Sequence, residues 1–236
     1  MKKFIVAVAG LIAITSITSA QSLEEIIKRY SSAIKADQLS KVSTIKITGK
    51  MSSMGMEMPM TMQMKKPNKI RVAYNLSGQE IISVFDGQKG YMVNPMTGSS
   101  SPVELTGDQL KQVQNNNVFN NQIQDYFTAG ILTLEGSEDV KGKPAFKLKA
   151  VPQGSSPVFI FIDKETFLPV KTSTSVEQMG TTMNVESFLT DYVDVKGVVM
   201  PKKTTAMANG MEAAVISFDN IEVDVPIDDA VFRINK

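Results

Sequence analysis

Residues 45–75 read Ile45-Lys46-Ile47-Thr48-Gly49-Lys50-Met51-Ser52-Ser53-Met54-Gly55-Met56-Glu57-Met58-Pro59-Met60-Thr61-Met62-Gln63-Met64-Lys65-Lys66-Pro67-Asn68-Lys69-Ile70-Arg71-Val72-Ala73-Tyr74-Asn75. Ile45, Ile47, Gly49 and Met51 alternate with Lys46, Thr48 and Lys50, and Ile70, Val72 and Tyr74 alternate with Arg71, Ala73 and Asn75. A period of two puts one face of a strand on an apolar interior and the other in water. Working outward, Pro67-Asn68, Ser77-Gly78, Asp86-Gly87, Lys141-Gly142, Lys196-Gly197 and Asn209-Gly210 punctuate the chain as turns. Asn209-Gly210 lies between the strand-like runs Thr204–Ala208 and Glu212–Ser217, a two-residue hairpin signal. Short strands joined by hairpins imply one antiparallel, strongly curved sheet.

Within this stretch every second residue from Met54 to Met64 is methionine. An extended chain would point all six to one face, about 6.8 Å apart. Three readings stand side by side. The row is ordinary core, although three flexible torsions make Met a poor specifier of tight packing. Alternatively it lines a cavity for a variable apolar ligand. Or thioethers at Met54, Met56, Met58 and Met60 hold a soft ion such as Cu(I) or Ag(I). Pro59 lacks a ladder donor, which predicts an edge strand or a bulge there.

Two segments depart from the strand rhythm. Ser22-Leu23-Glu24-Glu25 is a capping box, and Leu23, Ile26, Ile27, Tyr30, Ala33 and Ile34 follow helical spacing, predicting one amphipathic helix over Leu23–Ala36. Residues 107–130 carry Leu110, Val113, Val118, Phe119, Ile123, Tyr126 and Phe127 among many Asn and Gln. The weak helix former Asn at 115–117 and 120–121 predicts two short helices, or one with a break, able to act as a plug or lid. The preceding Asn94–Pro102 reads as a flexible loop.

The 236 residues contain 25 Lys+Arg, 24 Asp+Glu and no His, Cys or Trp. That composition removes Ser-His-Asp and Cys-His nucleophiles, imidazole or thiolate zinc sites and disulfides. A net charge of +1 argues against nucleic acid as partner. Lys2-Lys3, the apolar run Phe4–Ile14 and Thr18-Ser19-Ala20 have the layout of a secretory signal peptide, with cleavage after Ala20. About 11 apolar residues fall short of the roughly 20 that span a bilayer. The expected organisation is a signal peptide over 1–20 and one domain over 21–236, exported, soluble and not itself lipidated. Asp163/Glu165 and Asp191/Asp194 sit at turns and read as solvated turn formers. Glu222, Asp224, Asp228 and Asp229 read as a charged strand end without a Ca²⁺ loop. No phosphate-cradling loop or nucleophile elbow occurs, so the expectation is a non-enzyme without a cofactor.

The order of the motifs resembles a family. The leader, the helix and the first strands lead to Lys65-Lys66-Pro67-Asn68-Lys69-Ile70-Arg71, then Asp86-Gly87, Tyr91, Asn94-Pro95 and the helical insert. Asp163–Pro169, Asp191-Tyr192, Gly197, Pro201, Phe218–Ile221 and Pro226–Phe232 complete the series. In this order they resemble the periplasmic outer-membrane lipoprotein-sorting (LolA-like) proteins. The resemblance implies a mainly β fold with a few helices: an incomplete, strongly curved antiparallel β-barrel closed by a lid of short helices. It also implies a monomeric carrier of acylated lipoprotein or lipid cargo, served by an inner-membrane release complex and an outer-membrane acceptor. Ile45, Ile47, Met51, Met58, Met60, Met62, Met64, Ile70, Val72, Tyr74 and Tyr91 would line the apolar groove. Leu110, Val113, Phe119, Ile123, Tyr126 and Phe127 would form the lid. Lys66 would be the polar gate, where the family commonly has Arg, whose planar fork Lys lacks. Similar half-barrels also serve as lipid-sensing regulators of envelope stress and as glycolipid carriers. Such regulators usually carry a second domain, and the residues after 20 are expected to form only one.

Overall fold

The computed structural model describes residues 21–97, 99–178 and 180–234. The expected signal peptide, residues 1–20, lies outside them. Helix α1, Leu23–Ala33, starts as its sequence predicts: the Ser22 hydroxyl accepts the Glu25 N–H at 3.2 Å. Only this half of the capping box is seen, because the Glu25 carboxylate pairs with Arg29 at 2.7 Å. The helix is shorter than predicted. Lys35 takes a left-handed conformation with φ 53°, which ends α1 and starts the one-turn α2, Ala36–Leu39.

The strands are β1 Thr44–Ser53, β2 Met56–Lys65, β3 Lys69–Leu76, β4 Gln79–Phe85, β5 Gly90–Asn94 and β6 Ser99–Leu105. Two helices follow, α3 Gly107–Asn115 and α4 Gln122–Thr128. The second half holds β7 Leu132–Val140, β8 Lys143–Ala150, β9 Val158–Asp163, β10 Pro169–Gln178, β11 Thr181–Val195, β12 Val198–Ala208 and β13 Met211–Val223. Among the described residues they form one sheet of 13 strands in the order β6-β5-β4-β3-β2-β1-β13-β12-β11-β10-β9-β8-β7. The sheet is antiparallel and does not close, so the expected open half-barrel with short helices is what the chain adopts. Asn209-Gly210 makes its hairpin, with Ala208 opposite Met211. The insert over 107–130 is two helices broken at the asparagines.

Three expectations are corrected. Met54 does not belong to the methionine row: with φ 52° it forms, with Gly55, the turn joining β1 to β2, and it is 93% exposed. β2 is an interior strand rather than an edge. Pro59 is tolerated because β2 pairs with β3 only from Met60 onward, so the missing N–H falls where that ladder has ended. Asn94–Pro102 is not all loop; after the 3₁₀ turn Pro95–Thr97 the chain enters β6.

The topology has one long-range join. β1–β6 spread to one side, β7–β13 return from the other, and β1 pairs with β13 in the middle. A bulge between Thr48 and Gly49 accommodates the curvature there. A Cβ on Gly49 would lie 2.1 Å from the Ser217 carbonyl oxygen and 2.9 Å from the Phe218 Cα, both backbone atoms that cannot swing aside. Gly49→Ala is therefore expected to lower stability by about 1–3 kcal/mol. An unchanged urea midpoint for that variant would contradict this β1–β13 register.

Candidate functional site

Residues directly opposite one another on paired strands share a face. From Ile45 and Ile47 the inner face runs through Met64 and Met62, then Ile70 and Val72, to Phe85, and in the other direction through Val223 and Ile221. Ile45, Ile47, Met60, Met62, Met64, Ile70 and Val72 are all buried in one cluster, with Leu110, Val113, Val118, Phe119 and Tyr74 packed on it. The Leu110 side chain of α3 packs so closely that a Cβ on Gly90 would meet its Cδ1 at 2.6 Å. The Val118 N–H even points at the Met64 sulfur, 3.5 Å away. These groove residues and the α3 part of the lid are thus brought together, with the lid filling the space between them.

The lid divides between two clusters. Ile123, Tyr126 and Phe127 leave this one and pack with Ile26, Ile27 and Tyr30 of α1 over Phe146, Leu148, Ile160 and Ile162 of β8 and β9. The second half of the inner face was missed in the sequence, although Phe146 and Leu148 alternate with Lys147 and Lys149. Met51 and Met58 are opposite one another, Met58 buried and Met51 half-buried, towards the β1–β2 turn. There the same face stays partly open: Met56 is 50% exposed and Met211, opposite Ala208, 72%.

Two placements differ from expectation. Tyr91 is opposite Val84 and packs on the other face of the sheet with Ile227 and Phe232, because the residue that shares the inner face at that point is Phe85, paired with Gly90. The four thioethers of the soft-metal reading are not gathered: Met54 is in the turn, Met56 half-exposed, and Met58 and Met60 are buried.

Lys66 is where a latch is expected. Its ammonium donates to the Leu39 carbonyl at 3.1 Å and to the Ser40 carbonyl, which closes the end of α2. The same ammonium lies 5.1 Å from the centre of the Phe119 ring. One cation therefore ties the strand end to α2 and to the segment between α3 and α4.

A cavity of about 180 Å³ remains between the two clusters, lined among others by Tyr30, Ile34, Leu39, Val118, Tyr192 and Met200. Its polar groups are satisfied. The Tyr30 hydroxyl donates to Asn121 Oδ1 at 2.8 Å and the Tyr192 hydroxyl to the Pro169 carbonyl at 2.7 Å. Burial, above all, pushes both phenols well above their ordinary pKa, so both stay neutral. The volume is below the roughly 300–1,000 Å³ of ordinary ligand pockets. A surface hollow of about 800 Å³ lies elsewhere, among Lys28, Lys35, Asp37 and Lys196. Its charged walls suit water, not an apolar chain.

Most of the carboxylates noted in the sequence have structural partners. Asp163 is buried rather than solvated. Its Oδ1 accepts from Glu165 N, Thr166 N and Thr166 Oγ1 at 2.7–3.0 Å. Burial raises its pKa, but these hydrogen bonds outweigh it and hold the carboxyl below the usual range. Asp194 pairs with Lys35, Asp224 accepts from Ser43 N, Asp228 from Ala230 N, and Asp229 pairs with Lys65 and Lys69. Among the described residues no three His, Cys, Asp or Glu are placed to hold a metal ion.

No family model matches the sequence, and no curated protein does. Solved structures do match. A putative outer-membrane lipoprotein-sorting protein domain from Vibrio parahaemolyticus is 10% identical with TM-score 0.63, over 88% of this chain and 94% of that one. A LolA superfamily protein from Nitrosomonas europaea is 13% identical with TM-score 0.58, over 91% and 99%. The fold is LolA-like. A DUF1329 family protein from Desulfovibrio piger ATCC 29098 shares it at 14% identity and TM-score 0.61, over 88% and 97%. At these identities the likeness concerns the fold. Among the described residues no helix is long and apolar enough to cross a membrane.

The Lys66 contacts make a direct expectation. Lys66→Met keeps the aliphatic stem and removes the charge, losing a cation–π contact and two hydrogen bonds. If this loosens the lid by about 1 kcal/mol, amide hydrogen exchange in 107–130 should quicken about fivefold. Unaltered exchange there would mean that Lys66 secures only α2.

Proposed function

We propose that this protein is an exported, periplasmic carrier that holds the acyl chains of a lipoprotein or lipid against the inner face of its half-barrel and moves them towards the outer membrane. The observation that carries the reading is the inner face itself. It is apolar over two clusters, each roofed by one of two short helices that together tie opposite edges of the sheet. α3 has 9 residues and α4 has 7, below the roughly 12–15 at which isolated helices become stable in water. They are held by the apolar contacts they make with the sheet, and an acyl chain could replace those contacts one for one. Each buried CH₂ contributes about 0.8 kcal/mol, so a chain that displaced the lid would compete with it on equal terms.

The fold's likeness to lipoprotein-sorting proteins supports the same class of cargo. The Lys2-Lys3 start and the Phe4–Ile14 run support export. The neutral, hydrogen-bonded tyrosines and amides around the cavity support holding a ligand rather than converting it. The carrier acts as a monomer, without cofactor or nucleic acid, loaded by an inner-membrane release complex and unloaded by an outer-membrane acceptor. Release follows from contact with a more apolar acceptor, since the chain has no nucleotide-binding loop.

Because the chain has no cysteine, one introduced pair can lock the lid. Met64→Cys with Val118→Cys, bridged by a short reducible bis-thiol cross-linker, ties the strand to the segment between α3 and α4, whose Val118 N–H lies 3.5 Å from the Met64 sulfur. The cross-linked protein should lose binding of a fluorescent diacyl lipid and the reduced protein should regain it. Full binding in the cross-linked form would show that the lid does not have to move. No binding by the wild-type protein would remove the carrier reading.

A further inference from the structure

The methionine row has an exposed end that packing does not explain. Met54 is 93% exposed and Met56 50%, whereas Met58, Met60, Met62 and Met64 are all buried. Met54 also sits at φ 52°, a left-handed position that suits Gly, Asn or Asp. Among the described residues the other non-glycine residues at positive φ are Lys, Asp, Asn and Ser, apart from Phe167, which is buried. Met54 takes the strain without gaining burial.

A further exposed thioether lies at the neighbouring turn. The Ser53 hydroxyl donates to the Ala213 carbonyl at 2.8 Å and Ser52 is opposite Val215, so the β1–β2 and β12–β13 turns end side by side. Met211, opposite Ala208 at the second of these turns, is 72% exposed. The large apolar side chains exposed among the described residues are these three, Met96 in the turn Pro95–Thr97, and three valines. No Leu, Ile or Phe is among them. What a thioether offers that those side chains lack is a sulfur lone pair open to two-electron oxidants. The chain has no cysteine, so no thiol of its own competes for the oxidant.

We propose that Met54, Met56 and Met211 form a reversible sulfoxidation site, modified by oxidants of the hypohalous-acid or peroxide class. With hypochlorous acid each sulfur loses an electron pair and gains an oxygen, while chlorine leaves as chloride and a proton is released. A thiol-dependent sulfoxide reductase returns the thioether: its dithiol becomes a disulfide and the oxygen leaves as water. The fold tolerates the change at these positions, because an S=O group there meets water. At Met60 or Met62 the same group would lie inside the apolar cluster of the inner face, at the cost of burying a polar atom. Oxidation therefore turns the exposed end of the row from apolar to polar and leaves the buried part reduced. The site stands whether or not the inner face carries lipid.

The test treats the folded protein with graded hypochlorous acid and locates methionine sulfoxide by peptide mass spectrometry. Met54, Met56 and Met211 should be oxidised at an about tenfold lower dose than Met58, Met60, Met62 and Met64. At that lower dose the urea midpoint should stay where it was, and retention on a hydrophobic-interaction column should fall. Sulfoxide reductases for both epimers, supplied with dithiothreitol, should restore the retention of the folded protein. The variant carrying Met54→Leu, Met56→Leu and Met211→Leu should lose most of the retention shift. Oxidation of the buried row at the same dose overturns the site, as does a urea midpoint that drops with the first oxygens. Sulfoxides that the reductases leave in place remove its reversibility and the proposal with it. A full retention shift in the variant assigns the effect to other methionines, with the same consequence. The wild-type measurements decide the matter by themselves if the variant does not fold.

Discussion

The structure depends on where the chain crosses from one edge of its sheet to the other. β6 and β7 are consecutive strands yet lie at opposite edges. The 26 or so residues between them cannot be a hairpin and have to cross a face of the sheet. They cross instead over the inner face, as α3, the asparagine segment and α4. The lid is thus required by the connectivity. A sheet that opens into two wings from the central β1–β13 pair needs a strap between the wing tips, and whatever sequence forms the strap covers the apolar side.

That origin accounts for the character of the strap. A covering helix needs apolar residues on its lower side and water-compatible ones above. α3 and α4 meet the first need with Leu110, Val113, Ile123 and Phe127 and the second with amides. The halves pack on different parts of the sheet, α3 over β1–β4 and α4 with α1 over β7–β9. The joint between them, 116–121, carries Asn117 and Phe119, the buried amide and the ring beneath Lys66. Contacts that hold the lid and a buried donor that gains nothing from closure occupy the same few residues. Such opposition makes the closed form a shallower minimum than an all-apolar strap would, which suits the carrier role proposed above.

Methionine serves the same end. Met60, Met62 and Met64 are buried against Leu110, Val118 and Phe119, in the middle of the interface that would have to separate. Unbranched, polarizable side chains can meet leucine and phenylalanine in one arrangement and a methylene chain in another at little cost. A core of Ile and Val would hold the lid in one register.

How much of this was legible before the structure varies element by element. The strands at 44–53 and 69–76, the hairpin at Asn209-Gly210 and the first helix follow from local periods and turn chemistry, because each is specified by neighbours two to four residues away. The inner-facing identity of Ile45, Ile47, Met60, Met62, Met64, Ile70 and Val72 follows from the same alternation once one face is known to be buried. Alternation does not say which face a later strand presents; the family resemblance placed Tyr91 in the groove, and in the protein it takes the outer face, where Phe85 and Gly90 set the register. Nor could it separate Met54 from its row, since a turn is marked by the positive φ at Met54 and Gly55 rather than by a break in the spacing. The sequence by itself determined a curved antiparallel sheet with an apolar face, a helical insert and a chain without His or Cys. Only the tertiary structure decided which wing each lid helix covers, that Lys66 bridges α2 and Phe119, and that the side-chain NH₂ of Asn117 is buried without a hydrogen-bond partner among the described residues. Those outcomes depend on contacts between residues tens of positions apart, set by sheet order and curvature, which no local pattern encodes.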